Sequence, residues 1–411
     1  MRSAWSITVC MLVFVLLFPS LAVSADRLFS ASDPRGDDNG GGKIVYPGRD
    51  DINPGDLDLL EFSARADSTG TWFTVRFANP IRSPKGVMSR SSPQKLTGFI
   101  NEDFYTLNVD IYIDTDAKPS SGNLAMLPGR KAEVAPDYAW EKAVIVTPRP
   151  SEAEALLRKH LLRNAEAEYK ASHGRAGEEE QKTIAQRVEA KMAQQFYFPR
   201  NLKVQDRSLY LFVPAAFLGG TPENTWRYVV VVTGADPEQA VDLQLPFRQR
   251  PPLMMLPVGQ GRPTEYFGLE RGADPEQSPI VDLLLPTRDL QYQLLNDYDA
   301  TAGRLARLIG VSPDGTTKGI AQGKIPRDGA QETPPLTVMP REQAPQAGPV
   351  SGEGKGMREA GTMDELLNPP ATGDAKQGVV ERLRTLKKLR QESLITEEEF
   401  QQLRRKVLSD L

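Results

Sequence analysis

Cysteine and histidine are nearly missing from this 411-residue chain, and their scarcity excludes more chemistry than any motif admits. The single cysteine, Cys10, lies inside an N-terminal apolar run. Beyond that run there is no thiol for a disulfide framework, a thiolate zinc site or a cysteine nucleophile. His160 and His173 are the only histidines, and both fall in one strongly charged stretch, which argues against a serine triad or a histidine-ligated metal in a folded core. Long apolar runs are lacking too: residues 7–18 are fewer than the roughly 20 that a membrane-spanning helix needs. With Arg2 before it and Val23, Ser24 and Ala25 after it, this run reads as a secretory signal (1–25) cleaved after Ala25, so the chain is expected to be exported, to the periplasm, the extracellular space or the cell surface. The formal charge of −4 is spread over interspersed signs, which gives no footprint for nucleic acid.

What remains is mostly short strands. "LLEFSAR" from Leu59, "TWFTVRFA" from Thr71, "TLNVDIYID" from Thr106, "AVIVT" from Ala143, "SLYLFV" from Ser208 and "WRYVVVVTG" from Trp226 carry β-branched and aromatic residues. In the third, Leu107, Val109, Ile111 and Ile113 share one face while Thr106, Asn108, Asp110 and Tyr112 share the other. Such a period of two predicts an antiparallel sheet with one buried face. Turn signals at Pro54-Gly55, Pro128-Gly129 and Gly219-Gly220 separate the strands, and a mainly β antiparallel sandwich over 26–308 is the most economical architecture.

Residues 151–195 interrupt the strands with Glu, Lys, Arg and Ala, and Gly174 and Gly177 divide them into two helices. The second carries Ile184, Val188 and Met192 on one narrow edge, which covers little core, so a charged helical hairpin projecting from the sandwich is expected. Gly, Pro, Gln and Thr dominate 309–378, a composition that cannot offset its chain entropy and reads as a disordered linker. Order is expected again over 379–411, where Leu383 and Leu386 mark a helix face. A second helix opens at Thr396 with Glu399 three residues on, a capping box, and Ile395 and Phe400 form the matching hydrophobic staple. Two helices this short make no stable core alone. Leu383, Leu386, Ile395, Phe400 and Leu403 therefore ask for a partner, whether another copy, the sandwich or a separate protein.

The segment "DPRGDDNGGGKIVYP" from Asp33 offers hard oxygen ligands at Asp33, Asp37, Asp38 and Asn39, with Gly40, Gly41 and Gly42 letting the backbone close around an ion. Its spacing is not that of an EF-hand, since the sixth position is Asp38 rather than glycine. A cation site and a plain wet turn both fit the residues. At the end of the third strand Asp110, Asp114 and Asp116 equally suit a turn, a second cation site or the carboxylate pair of a glycosidase, and no constellation of catalytic geometry accompanies them.

Together with "NPGDLDLLEFSA" from Asn53, the acidic segment resembles the start of the C-terminal binding module of glucodextranase-type proteins. "VDIYIDTD" from Val109, "LPGRKAEV" from Leu127, "AWEKAVIV" from Ala139, "YFGLERG" from Tyr266 and "PIVDLLLP" from Pro279 extend the likeness. The resemblance implies a β-sandwich related to surface-layer-associated carbohydrate-binding domains, with structural calcium at Asp33, Asp37 and Asp38. It implies binding of a polysaccharide or cell-envelope polymer, without catalysis. This chain departs from the pattern at Gly41, where the family usually has proline, in the inserted hairpin, and in having no catalytic barrel ahead of the sandwich. For sugar contact, Trp140 with Glu141, Asp114 and Asp116 forms the first candidate set, Trp72 and Trp226 being expected in the core. The tail "RLRTLKKLRQESLITEEEFQQLRRKVL" is similar to the short C-terminal domain called SHOCT, which implies association, and an envelope scaffold assembled through these helices is the alternative function.

Overall fold

Alternating apolar residues build the strands, and the turn residues between them set their order. The computed structural model describes residues 26–200, 202–241, 252–261 and 264–317. The chain divides into two units, 1–331 and 332–411, and every described residue belongs to the first. Its strands are β1 (Asp26–Ser32), β2 (Ile44–Val45), β3 (Leu59–Ala66), β4 (Gly70–Phe77), β5 (Leu107–Asp114), β6 (Ala132–Val134) and β7 (Lys142–Val146). Helices α1 (Pro150–His173) and α2 (Glu178–Gln195) follow, then β8 (Phe196–Tyr197), β9 (Lys203–Gln205), β10 (Ser208–Pro214), the single turn α3 (Ala215–Leu218) and β11 (Arg227–Gly234). The described part ends with β12 (Gly268–Leu269), β13 (Asp282–Leu283), α4 (Arg288–Asn296) and β14 (Ala306–Leu308).

Two five-stranded sheets face each other as a sandwich. The first has the order β1-β3-β4-β10-β9 and the second β13-β11-β5-β7-β8, antiparallel throughout except where β8 joins β7. Phe62, Phe73, Val75, Leu209 and Leu211 of the first sheet meet Val109, Ile111, Ile113, Val230 and Val232 of the second in one core. At about 1.5–3 kcal/mol for each fully buried side chain of this size, this interior is the main source of stability.

The expectation of one buried face on β5 is corrected: all eight of its residues are buried. The second sheet lies between two layers, because a second core containing Tyr112, Trp140, Ile145, Val229, Leu283, Leu294 and Leu308 covers its outer side. Most polar groups of β5 find partners within the fold, although Asn108 Oδ1 and Asp114 Oδ2 accept no hydrogen bond. Arg130, fully buried, forks onto Asp110 through Nε (2.7 Å to Oδ2) and Nη2 (3.0 Å to Oδ1), and the Asn108 amide donates to the Gly234 carbonyl at 3.1 Å. An alternating strand thus looks half-solvated in sequence and is sealed on both sides in the fold.

The base of the helical hairpin belongs to that outer layer. Ala153, Leu156 and Leu157 of α1 and Val188 and Met192 of α2 pack into the second core, which corrects the expectation that the whole hairpin projects. Residues 163–183 are mostly exposed, and ion pairs such as Arg158–Glu189 at 2.8 Å tie the helices at the surface, where each contributes little. Order also runs past the expected linker boundary at 308: Val311 is buried and exchanges two 2.9 Å backbone hydrogen bonds with Tyr228. The signal, the linker beyond 317 and the terminal helices, with Leu383, Leu386, Ile395, Phe400 and Leu403, lie outside the described residues.

Candidate metal centre

Three stretches far apart in sequence bring buried aspartates together: the loop after β1, the approach to β3, and β13. Asp37 and Asp282 are 0% exposed, Asp58 is 1% exposed, and Asp33 lies nearer the surface at 9%. Carboxylate oxygens of Asp33, Asp37 and Asp282 all lie within 4.8 Å of one another.

Local structure aims them. A bulge at Leu60, between the pairs Leu59–Phe77 and Glu61–Arg76, turns the Leu59 amide out of the ladder, and it donates to Asp282 Oδ2 at 2.7 Å. Within the same bulge the Leu60 carbonyl accepts from the Asp33 amide at 3.0 Å. Leu283 N donates to Asp282 Oδ1 at 2.8 Å and Leu285 N, just past β13, to Asp33 Oδ1 at 2.6 Å, so the segment leaving β13 grips the loop after β1 across 252 residues of sequence.

Helix α4 clamps the loop from outside. Gln291, itself fully buried, donates to the carbonyls of Asp37 (2.6 Å) and Gly40 (3.3 Å) and accepts from Leu283 N (2.8 Å). Asn296 donates to the Gly41 carbonyl at 2.8 Å. Gly40 has φ +65°, and a Cβ on Gly41 would stand 2.6 Å from the Asn296 amide, so a side chain at either position would be strained or would displace the clamp.

The remaining oxygens have no partner. Asp33 Oδ2, both carboxylate oxygens of Asp37, and Asp58 Oδ1 are buried without a hydrogen bond, and among the described residues no cation forms an ion pair with Asp33, Asp37 or Asp282. A buried carboxylate in that position is costly unless it is neutralised. Burial, reinforced by mutual repulsion, raises every one of these acids: Asp37 to about 6, Asp58 to about 7, and Asp33 and Asp282 further still. Only hard oxygens converge here, a donor set that suits calcium and disfavours the soft-ligand metals. An open cavity of about 520 Å³, lined by Asp38, Asp58, Tyr46, Asn79 and Glu270, reaches the centre's edge at Asp58.

The structure distributes the sequence candidates unevenly. Asp33 and Asp37 lie in the centre. Asp38 accepts from the Tyr46 hydroxyl and, at 2.6 Å, from Gly55 N, while Asn39 accepts from the Tyr292 hydroxyl at 2.8 Å. Both of these residues shape the loop. Asp58 and Asp282 were not among the candidates, although a lone aspartate inside the apolar run "PIVDLLLP" is itself a signal that a charge is being buried on purpose.

Asp114, Asp116 and Glu141 also converge within 4.8 Å, but all their hydrogen-bonding needs except that of Asp114 Oδ2 are met from within the chain. Asp114 Oδ1 accepts from Ala117 N at 2.7 Å, with Arg227 3.6 Å from Oδ2; Asp116 accepts from Lys118 N at 2.9 Å; Glu141 accepts from Thr115 N at 2.8 Å. Together they hold a tight turn. Trp140 is 3% exposed, packed on Tyr112 and Phe196, with its indole N–H donating to the Ala125 carbonyl at 3.2 Å. This corrects its expected role, because a ring sealed in the core offers no face to a sugar. Trp226 is buried as expected, whereas Trp72, also expected in the core, is 41% exposed.

Residues 28–310 match the model of the family described as the C-terminal binding-module, SLH-like, of glucodextranase. The match spans more than half of the chain, which therefore belongs to that family. A search of curated proteins found none that matches. Among the described residues no helix is long and apolar enough to cross a membrane.

Proposed function

We propose, taking membership of this binding-module family as the premise, that the chain is an exported, non-catalytic carbohydrate-binding protein whose sandwich is locked by calcium. Asp33, Asp37, Asp58 and Asp282 would hold the ion. Its chemistry there is charge neutralisation, which lets acids from the loop after β1, the approach to β3, and β13 stay ionised side by side. The observation that carries this reading is Asp37, fully buried with neither carboxylate oxygen partnered. The family description supports binding in place of catalysis. The surface-layer-like character of the module supports a place at the cell envelope and a polysaccharide of that envelope as the ligand.

Two measurements test this. Thermal unfolding with calcium and with chelator should differ, and identical curves would remove the metal. Retention of the full mature chain on a panel of insoluble and immobilised polysaccharides should show binding to at least one polymer. Passage through all of them would remove the carbohydrate reading while leaving the calcium result standing.

A further inference from the structure

The outward face of the first sheet is built unlike the rest of the surface. Inward residues of β3, β4 and β10 fill the core, and the alternate positions present Glu61, Ser63 and Arg65, then Arg76, Thr74 and Trp72, then Ser208 and Tyr210. These residues line a shallow basin of about 510 Å³. Trp72, directly opposite Arg65 on one side and Phe212 on the other, is 41% exposed and leans on the Phe212 ring at 5.2 Å, which fixes its plane. Tyr210 stands opposite Thr74, one pleat further along, with exposed Lys203 beyond it on β9.

The charge of this face is inverted relative to the chain. Glu61 is the only acid in strands β3, β4, β9 and β10, and it is shared between Arg27 (2.8 Å) and Arg76 (3.0 Å). Arg65 and Lys203 have no ion-pair partner among the described residues. A protein with formal charge −4 therefore shows a basic sheet face with an aromatic platform in its middle.

We infer that this face is the polysaccharide contact surface and that its ligand is an anionic polysaccharide of uronic acid units. The inference rests on the carbohydrate-binding reading and adds the place and the ligand class. The indole and phenol rings are flat apolar surfaces that suit the C–H faces of pyranose rings. The guanidinium of Arg65 presents a planar fork that matches a carboxylate through two parallel hydrogen bonds, a geometry that lysine cannot supply. Arg65 and Trp72 are cross-strand neighbours, a placement that puts side chains about 5 Å apart. That spacing suits a sugar whose carboxylate is attached directly to the ring lying on the indole. Serine and threonine hydroxyls between the aromatics provide partners for the sugar hydroxyls.

The full mature chain is tested by affinity electrophoresis in gels containing soluble polyglucuronate, dextran sulfate or neutral dextran. Expected is retardation by polyglucuronate that weakens with added salt, with affinity at least tenfold lower for Trp72→Ala and for Arg65→Gln. Both variants should keep the wild-type unfolding temperature, because both side chains are at the surface. Dextran sulfate retarding the chain as strongly as polyglucuronate would overturn the uronate assignment. Retardation by any polymer that both variants retain in full would overturn the face while the carbohydrate reading survives. Passage of the wild type through every gel would overturn the uronate assignment, while the carbohydrate reading would stand or fall with the polysaccharide panel.

Discussion

Two groups of acids in this protein have nearly the same spacing, and the fold supplies them with partners to different degrees. Asp114, Asp116 and Glu141 converge within 4.8 Å, as do Asp33, Asp37 and Asp282. The first group faces Lys118, Arg227 and a run of turn amides, which leave only Asp114 Oδ2 without a hydrogen bond and with Arg227 3.6 Å away. The second is pressed between β3, β13 and α4, with part of its oxygens unpaired. Clustering by itself says little about metal binding. What separates the two is the supply of partners from within the chain.

The largest test of this contrast uses a buried acid that has its own cation. Asp110 is as deep as Asp37 but is forked by the fully buried Arg130. Replacing Arg130 by Met strands Asp110 and should cost about 3–5 kcal/mol in urea unfolding, whatever the calcium concentration. Next in size is the metal effect: calcium at a hundred times its dissociation constant should add about 2.7 kcal/mol to the wild type. Asp37→Ala should abolish that gain, which thermal scans with calcium and chelator would show.

The pH dependence should follow. With chelator present, the raised carboxyls of Asp37 (about 6) and Asp58 (about 7) stabilise the fold while they are protonated. That contribution is full below the ordinary aspartate value near 3.8 and is lost as pH climbs through about 6 to 7, so the unfolding temperature should fall over that interval. Calcium should remove the fall, because the ion replaces the protons, and a flat chelator profile would contradict the raised values. The smallest effect is expected at the turn. Asp116→Asn should change stability by no more than about 0.5 kcal/mol and leave the calcium response intact, since Asp116 lies at the surface end of the other group.

The same contrast shows what could be read from the chain. The strands were legible because Leu107, Val109, Ile111 and Ile113 alternate, and the helical insert because Gly174 and Gly177 bracket its turn. The second buried face of β5 was not, because an aspartate on an alternating strand looks solvated until Arg130, 20 residues on, is seen to neutralise it. Asp33 and Asp37 stood out in a dense acidic string, whereas Asp282 stands alone between apolar residues and joins them only through folding. Trp140 and Trp72 exchanged places between surface and core for a related reason. Period two says which residues share a face of a strand, and only the packing of the layers says which face is covered.

The centre draws its acids from both ends of the folded unit, with Asp33 in the first loop and Asp282 and α4 near the close. Whatever the folding order, the early aspartates therefore stay without Asp282 and the α4 clamp until nearly the entire unit is available. The hydrogen bonds from Leu285, Gln291 and Asn296 act as a latch between the two ends, and a truncated copy missing either end has nothing to fasten.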